Sequence, residues 1–195
     1  MRLVIGLIGE MGAGKETFAR IVANIAKPLT IKHLGTGELL RETLEAWNLP
    51  LSRENLQGLA IAMDARFGAG TLARAQTKKI RETTEDIVIY DSVRWSHDVE
   101  VIKSFPHVLV YITAYPELRW LRLKQRGQKA GENVMSFEQF KQLENQLTET
   151  EVKSLGAGAD VVVFNNGTLD QFNFLIRRQL DQYLVPFIRN KNSGK

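Results

Sequence analysis

The chain has 195 residues, a formal net charge of +4, an apolar fraction of 44% and a charged fraction of 25%, which suits one well-buried globular domain. It has no cysteine, so disulfides and thiolate metal sites are excluded, and its basic residues lack the clustering of a nucleic-acid binder. No apolar run approaches the ~20 residues needed to span a bilayer, and no leader pattern opens the chain, so a cytoplasmic protein without membrane or nucleic-acid partners is expected.

Residues 3–8, Leu-Val-Ile-Gly-Leu-Ile, read as a buried strand. The stripe Phe18, Ile21, Val22 and Ile25 predicts a helix, ended by Pro28. Between them runs Gly9-Glu10-Met11-Gly12-Ala13-Gly14-Lys15-Glu16-Thr17. A glycine-rich turn from strand to helix that ends in Gly-Lys is a phosphate-cradling loop of nucleoside triphosphate enzymes. Glycines let backbone N–H groups converge on phosphate oxygens, and the helix N-terminus adds unpaired donors. Lys15 supplies a point charge for the outer phosphates. Glu16 stands where Ser or Thr would offer a hydroxyl to magnesium, and Thr17 follows one place later. Glycines at 9, 12 and 14 do not spell the Gly-x-Gly-x-x-Gly order of a dinucleotide site.

Four further apolar runs, 30–34, 87–90, 108–112 and 161–164, predict strands. Helical patterns lie at 38–47, 53–66, 70–82, 97–104, 116–126, 137–150 and 169–184. Ser136 with Gln139 and Thr168 with Gln171 form capping boxes. Pro186 is expected to end the last helix, and residues 190–195 to fray. This alternation predicts an α/β three-layer sandwich around a mainly parallel five-stranded sheet. Ligands in such sheets bind at the carboxyl ends of the strands.

Those ends carry the candidate chemistry. Asp91 closes the third strand, where an acid can hold magnesium, directly or through water, or orient an attacking group. Arg94, three residues on, can clamp a phosphate with its planar fork. Thr36 follows the second strand and also stands where a helix N-cap is expected. Arg122 and Arg126 share a helix face.

Several of these blocks resemble the adenylate kinase branch of the nucleotide kinases. Gly14-Lys15-Glu16-Thr17 is similar to that branch's Gly-Lys-x-Thr. Thr36-Gly37-Glu38-Leu39-Leu40-Arg41 resembles its Ser-Thr-Gly-Asp-x-x-Arg, which implies that Thr36 lies near the acceptor's base and Arg41 on its phosphate. Asp91-Ser92-Val93-Arg94 resembles its Asp-Gly-Phe-Pro-Arg, one residue shorter. Arg122-Leu123-Lys124-Gln125-Arg126 resembles the Arg-x-x-x-Arg that opens its lid, which implies Arg122 on the adenine and Arg126 on the ATP phosphates.

The lid departs from that family. No arginine occurs between 127 and 176; Gln139, Gln142 and Gln146 stand there instead. The run 159–168, with Asn165-Asn166-Gly167 after its strand, is similar to dephospho-CoA kinases, in which this loop borders the adenine. The same triplet also suits an ordinary turn and is assigned no catalysis. Residues 53–57 and Phe67-Gly68 resemble phage-type deoxynucleoside monophosphate kinases. His33, His97 and His107 are scattered and suggest no metal site; Trp47, Trp95 and Trp120 are read as packing residues.

The resemblance implies one P-loop kinase domain over 1–195, with an acceptor-binding arm at 35–84 and a lid at 127–150. The expected activity is transfer of the γ-phosphoryl group of ATP, with Mg2+, to a nucleoside or deoxynucleoside monophosphate. The loop residues Gly9 to Thr17 and Arg122 would bind ATP, and Thr36, Arg41 and Arg94 the acceptor. Lys15, Asp91, Arg94 and Arg126 would serve transfer, with Thr17 and Asp91 as weak magnesium ligands. Dephospho-CoA kinase, and a slow ATPase or switch acting on a macromolecule, are the alternatives.

Overall fold

The structure is a computed structural model that describes residues 2–127, 132–145 and 151–193. Five strands, β1 (Leu3–Gly9), β2 (Ile31–Gly35), β3 (Ile87–Asp91), β4 (His107–Thr113) and β5 (Val161–Phe164), form one sheet in the order β2-β3-β1-β4-β5. Every pairing is parallel. All seven residues of β1 are buried, as expected of a central strand covered on both faces.

Alternation along β1 divides the core. Leu3, Ile5 and Leu7 pack against α1 (Lys15–Ile25) and the C-terminal helix α9 (Leu169–Ser193), through Phe18, Val22, Phe172, Ile176 and Leu180. Val4 and Ile8 face the other layer, where α4 (Thr71–Glu82), α5 (Ser96–Lys103) and a short α8 (Val152–Ala157) contribute Ile80, Ile102 and Val152. Helices α2 (Thr36–Ala46) and α3 (Arg53–Phe67) follow β2. Helix α6 (Pro116–Arg126) leads to a 3-10 turn (Glu132–Val134) and α7 (Phe137–Glu144). Leu123, Met135 and Phe140 form a small separate cluster there, with Trp120 and Phe137 against it.

Both capping boxes form: Ser136 and Gln139 exchange bonds of 2.8 and 3.1 Å, and Thr168 and Gln171 bonds of 2.9 and 3.3 Å. Three expectations fail: the stop at Pro186, the fraying over 190–193 and the packing of Trp47. Helix α9 runs through Pro186 to Ser193, because Phe187 and Ile188 pack on the core and Lys191 pairs with Asp86; tertiary contacts override both the proline and the expected fraying. Helix α8 carried too short a pattern to be seen. Helix α7 ends at Glu144, with the expected 146–150, Gln146 included, outside the described residues. Trp47 is 60% exposed at the end of α2, so it is no packing residue.

Candidate active site

The phosphate loop joins β1 to α1 and is held from three sides. Gly12 and Gly14 have φ of 74° and 107°, a region that side chains disfavour. A Cβ on Gly12 would stand 2.5 Å from the Arg119 carbonyl oxygen, and one on Gly14 would stand 2.5 Å from Asn165 Nδ2. These two glycines therefore admit α6 and the β5 end against the loop. Lys15 Nζ donates to the carbonyls of Gly9 at 2.7 Å and Glu10 at 3.1 Å. Glu16 is exposed, and the Thr17 hydroxyl accepts from Arg20 at 3.3 Å.

Asp91 ends β3 in register with Leu7 of β1 and Gly35 of β2. Its Oδ2 lies 3.3 Å from His33 Nε2. Burial pushes the Asp91 carboxyl up, but the His33 hydrogen bond and the charges of Lys15, His33 and Arg94 outweigh it and hold the group below its ordinary value. The bond to Asp91 likewise raises His33 against the opposing effect of burial, with the charges of Asp91, Glu38 and Glu16 adding to it. Asp91 is thus an ionised oxygen donor beside the loop lysine.

Just beyond, Asp98 fixes the chain that carries Arg94. Its carboxylate accepts from the Tyr90 hydroxyl at 2.6 Å and from the Arg94 and Trp95 amides at 2.8 and 3.1 Å. Burial raises Asp98 despite these bonds, and burial with the Asp98 charge raises Tyr90 well above its ordinary value, so the tyrosine stays a neutral donor.

A cavity of about 350 Å³ opens from the loop and gathers most of the expected residues. Gly12 and Lys15 lie at its phosphate end with Asp91 and His33; Thr36, Arg41, Arg94 and Arg126 line it with Glu38 and Glu132. Leu40, Leu56, Ala60, Leu72 and Trp95 form an apolar wall. Thr36 is the first helical residue, preceded by Gly35 as the cap; its hydroxyl accepts from the Ser92 amide at 3.4 Å. Arg126 pairs with Glu132 at 2.6 Å.

Arg122 stands elsewhere. Its Nη2 donates to the Asn165 carbonyl at 2.8 Å, and its Nη1 is buried with no hydrogen-bond partner among the described residues. Burial lowers its pKa. It is thus held at the residue that follows β5, while the flanking Phe164 and Asn166, with Gly167 and Phe172, line a hollow of about 540 Å³.

Sequence reasoning gave no role to His33 or Arg119, and placed Asn165 in a loop bordering the adenine without its tie to the phosphate loop. His33 stands near the carboxyl end of β2 beside the strand that ends in Asp91, and that position was the available signal. Asn165 directly follows β5, yet nothing local shows that its amide reaches Ala13 at 2.9 Å. Arg119 is buried on α6, on a helix where an arginine reads as one more surface cation.

The sequence matches a family described as AAA domain over residues 8–141, from the end of β1 into α7. A UPF0200 protein of Methanocaldococcus jannaschii is 30% identical, over 99% of this chain and 94% of its own length. The chain belongs to the UPF0200 family and carries an AAA domain. A UPF0200 protein of Methanosarcina mazei is 27% identical, over 94% of this chain and 97% of its own length. Among solved structures, TT1252 from Thermus thermophilus matches with a TM-score of 0.62 at 18% identity, covering 93% of this chain and 98% of that one. Shikimate kinase from Bacteroides thetaiotaomicron gives 0.61 at 15%, over 94% and 98%, and a gluconokinase from Sinorhizobium meliloti 0.51 at 15%, over 100% and 97%. At such identities the likeness is one of fold, and the fold is that of the P-loop kinases.

Proposed function

We propose that the protein is an ATP-dependent phosphotransferase whose acceptor is a nucleoside or deoxynucleoside monophosphate. One observation carries the reading: a single cavity runs from Lys15 and Asp91 to Arg41, Arg94 and Arg126, with an apolar wall beside them. Such a site suits a molecule with a flat apolar part and a doubly charged phosphate, which arginine forks hold bidentately. Phosphoryl transfer needs positioning and charge stabilisation more than covalent help. The loop amides from Glu10 to Thr17 cradle the ATP phosphates, and Lys15 neutralises charge on the transferred group. Asp91 orients the attacking oxygen, Arg41 and Arg94 hold the acceptor phosphate, and Arg126 reaches the cavity from the lid side. Arg122 and the Phe164–Phe172 hollow face the nucleotide base.

The donor chemistry fits magnesium. Asp91 is ionised and Thr17 is hydroxylic, and the ion favours a few hard oxygens together with phosphates. Bound there, it would neutralise charge between the outer phosphates.

The test is an acceptor screen with ATP and magnesium: ribo- and deoxynucleoside monophosphates, dephospho-CoA, shikimate and gluconate. Transfer to one or more monophosphates is expected. Transfer to dephospho-CoA, shikimate or gluconate alone would replace the acceptor, and hydrolysis indifferent to the whole panel would replace the kinase with a slow ATPase.

A further inference from the structure

Against the phosphate loop, a buried charge ties the loop to α7. Arg119 is 2% exposed. A buried guanidinium persists only where its donors are met, and here each bond reaches a different part of the fold. Nε donates to the Ala114 carbonyl at 2.9 Å, after β4. Nη1 donates to Glu144 Oε1 at 2.5 Å, on the last turn of α7, and lies 3.5 Å from the Met11 carbonyl, in the phosphate loop. The guanidinium also lies 5.4 Å from the ring centroid of Phe140, the buried anchor of α7. The main chain of the same residue meets Gly12 so closely that no Cβ fits between them.

Among the described residues, the carboxylate that pairs with this guanidinium is Glu144. It sits at the end of a two-turn helix that joins the molecule through a small cluster of its own, apart from the two main cores. A helix so attached can dock or leave without disturbing the sheet. When it leaves, Arg119 loses its Glu144 counter-charge and its aromatic face together, and a guanidinium so stranded cannot keep its place beside the Met11 carbonyl.

We propose that Arg119 is a positioning residue: through Glu144 it couples the docking of α7 to the geometry of the phosphate loop, so that ATP and the docked helix favour one another. This rests on the reading of the loop as an ATP site. Arg119 need not touch nucleotide or acceptor. Coupling of this kind is reciprocal, so ATP must protect α7 as strongly as α7 tightens ATP.

The experiment uses the full chain and magnesium with the non-hydrolysable analogue β,γ-imido-ATP. Its Kd is measured by calorimetry, and amide hydrogen exchange is followed over residues 137–144 with and without it. In the wild type the analogue should slow exchange in α7. Glu144→Ala should raise the analogue Kd roughly five- to fiftyfold and abolish that response, with the KM for the acceptor unchanged. Glu144→Gln keeps size and one acceptor oxygen; it should fall between, and it carries the comparison should the alanine variant fold poorly. Arg119→Lys keeps charge without the fork and should resemble Glu144→Ala. Analogue affinity within twofold of wild type in the Glu144 variants, or a wild-type α7 that ignores bound analogue, would overturn the coupling while leaving the kinase reading intact. Failure of the wild type to bind the analogue at all would remove the ATP site itself.

Discussion

Asn165 donates its side-chain amide to the carbonyl of Ala13, 152 residues earlier, at 2.9 Å. Its own amide donates to Thr113 at 2.7 Å and its carbonyl accepts from Arg122. One buried residue thus joins β4, the phosphate loop and α6. Asn165→Asp should set a carboxylate oxygen against the Ala13 carbonyl. The lost bond and the unpaired buried groups should cost about 1–3 kcal/mol and weaken ATP binding. Thermal unfolding and ATP titration of the purified variant check this; wild-type values in both would show that the contact is incidental.

Lys15→Ala should leave the fold intact, since Lys15 lies outside the apolar cores and its ammonium donates to the loop carbonyls of Gly9 and Glu10, while transfer should fall by orders of magnitude for lack of charge on the transferred group. Circular dichroism with a turnover assay separates the two effects. Turnover within a few-fold of wild type in a folded variant would remove Lys15 from the mechanism.

Arg41 is exposed and lines the cavity away from the loop. A charge-assisted hydrogen bond is worth roughly 1.5–3 kcal/mol, so Arg41→Ala should raise the acceptor KM by about ten- to a hundredfold and leave ATP affinity nearly unchanged. Steady-state kinetics with each substrate varied in turn give the answer, and an equal loss for ATP and acceptor would contradict the division of the site.

Asp86 links β3 to the chain before β2 and to α9. Its carboxylate accepts from the Thr30 amide and hydroxyl, both at 2.7 Å, and pairs with Lys191. Burial opposes ionisation, but the Lys191 and Thr30 bonds outweigh it and bring the group down to about 2. A carboxylate depressed in the folded state stabilises the protein above the ordinary carboxylate range and loses that contribution as pH falls through the folded value. Unfolding temperature should therefore drop between about pH 4 and pH 2, and Asp86→Asn should be less stable near neutrality and flatter across that window. A variant with the wild-type acid profile would assign the drop to other groups.

Tyr111 donates to Glu10 Oε1 at 2.6 Å, and Glu10 Oε2 is buried without a hydrogen-bond partner among the described residues. Burial and the Glu10 bond push the phenol up to about 12, so it remains a donor across the working range. Tyr111→Phe should strip the buried carboxylate of its main donor and destabilise the protein by about 1–3 kcal/mol. Denaturant unfolding measures it, and an unchanged midpoint would mean that Glu10 finds another donor.

The sequence by itself determined the phosphate loop, the alternation of strands and helices, and the strand ends where the chemistry gathers. Each of these rests on local spacing: glycines that set a turn, apolar residues at the period of a strand or helix, caps three residues apart. Asp91, Thr36 and Arg94 were legible because they end or closely follow strands, and parallel strands deliver their ends to one edge; Arg41, on α2, was legible through its resemblance to the adenylate kinase segment. Tertiary structure alone decided the rest. The order β2-β3-β1-β4-β5 sets His33 beside Asp91 and Asn165 beside Ala13. Arg122 and Arg126, four residues apart on one helix, go to different partners, their tips captured by Asn165 and Glu132. Burial turns Arg119 from a surface cation into a buried tie, and packing carries α9 through Pro186. Periodicity says which face of an element is apolar; which distant residue meets that face depends on contacts across a hundred residues or more, and no local window of sequence contains them.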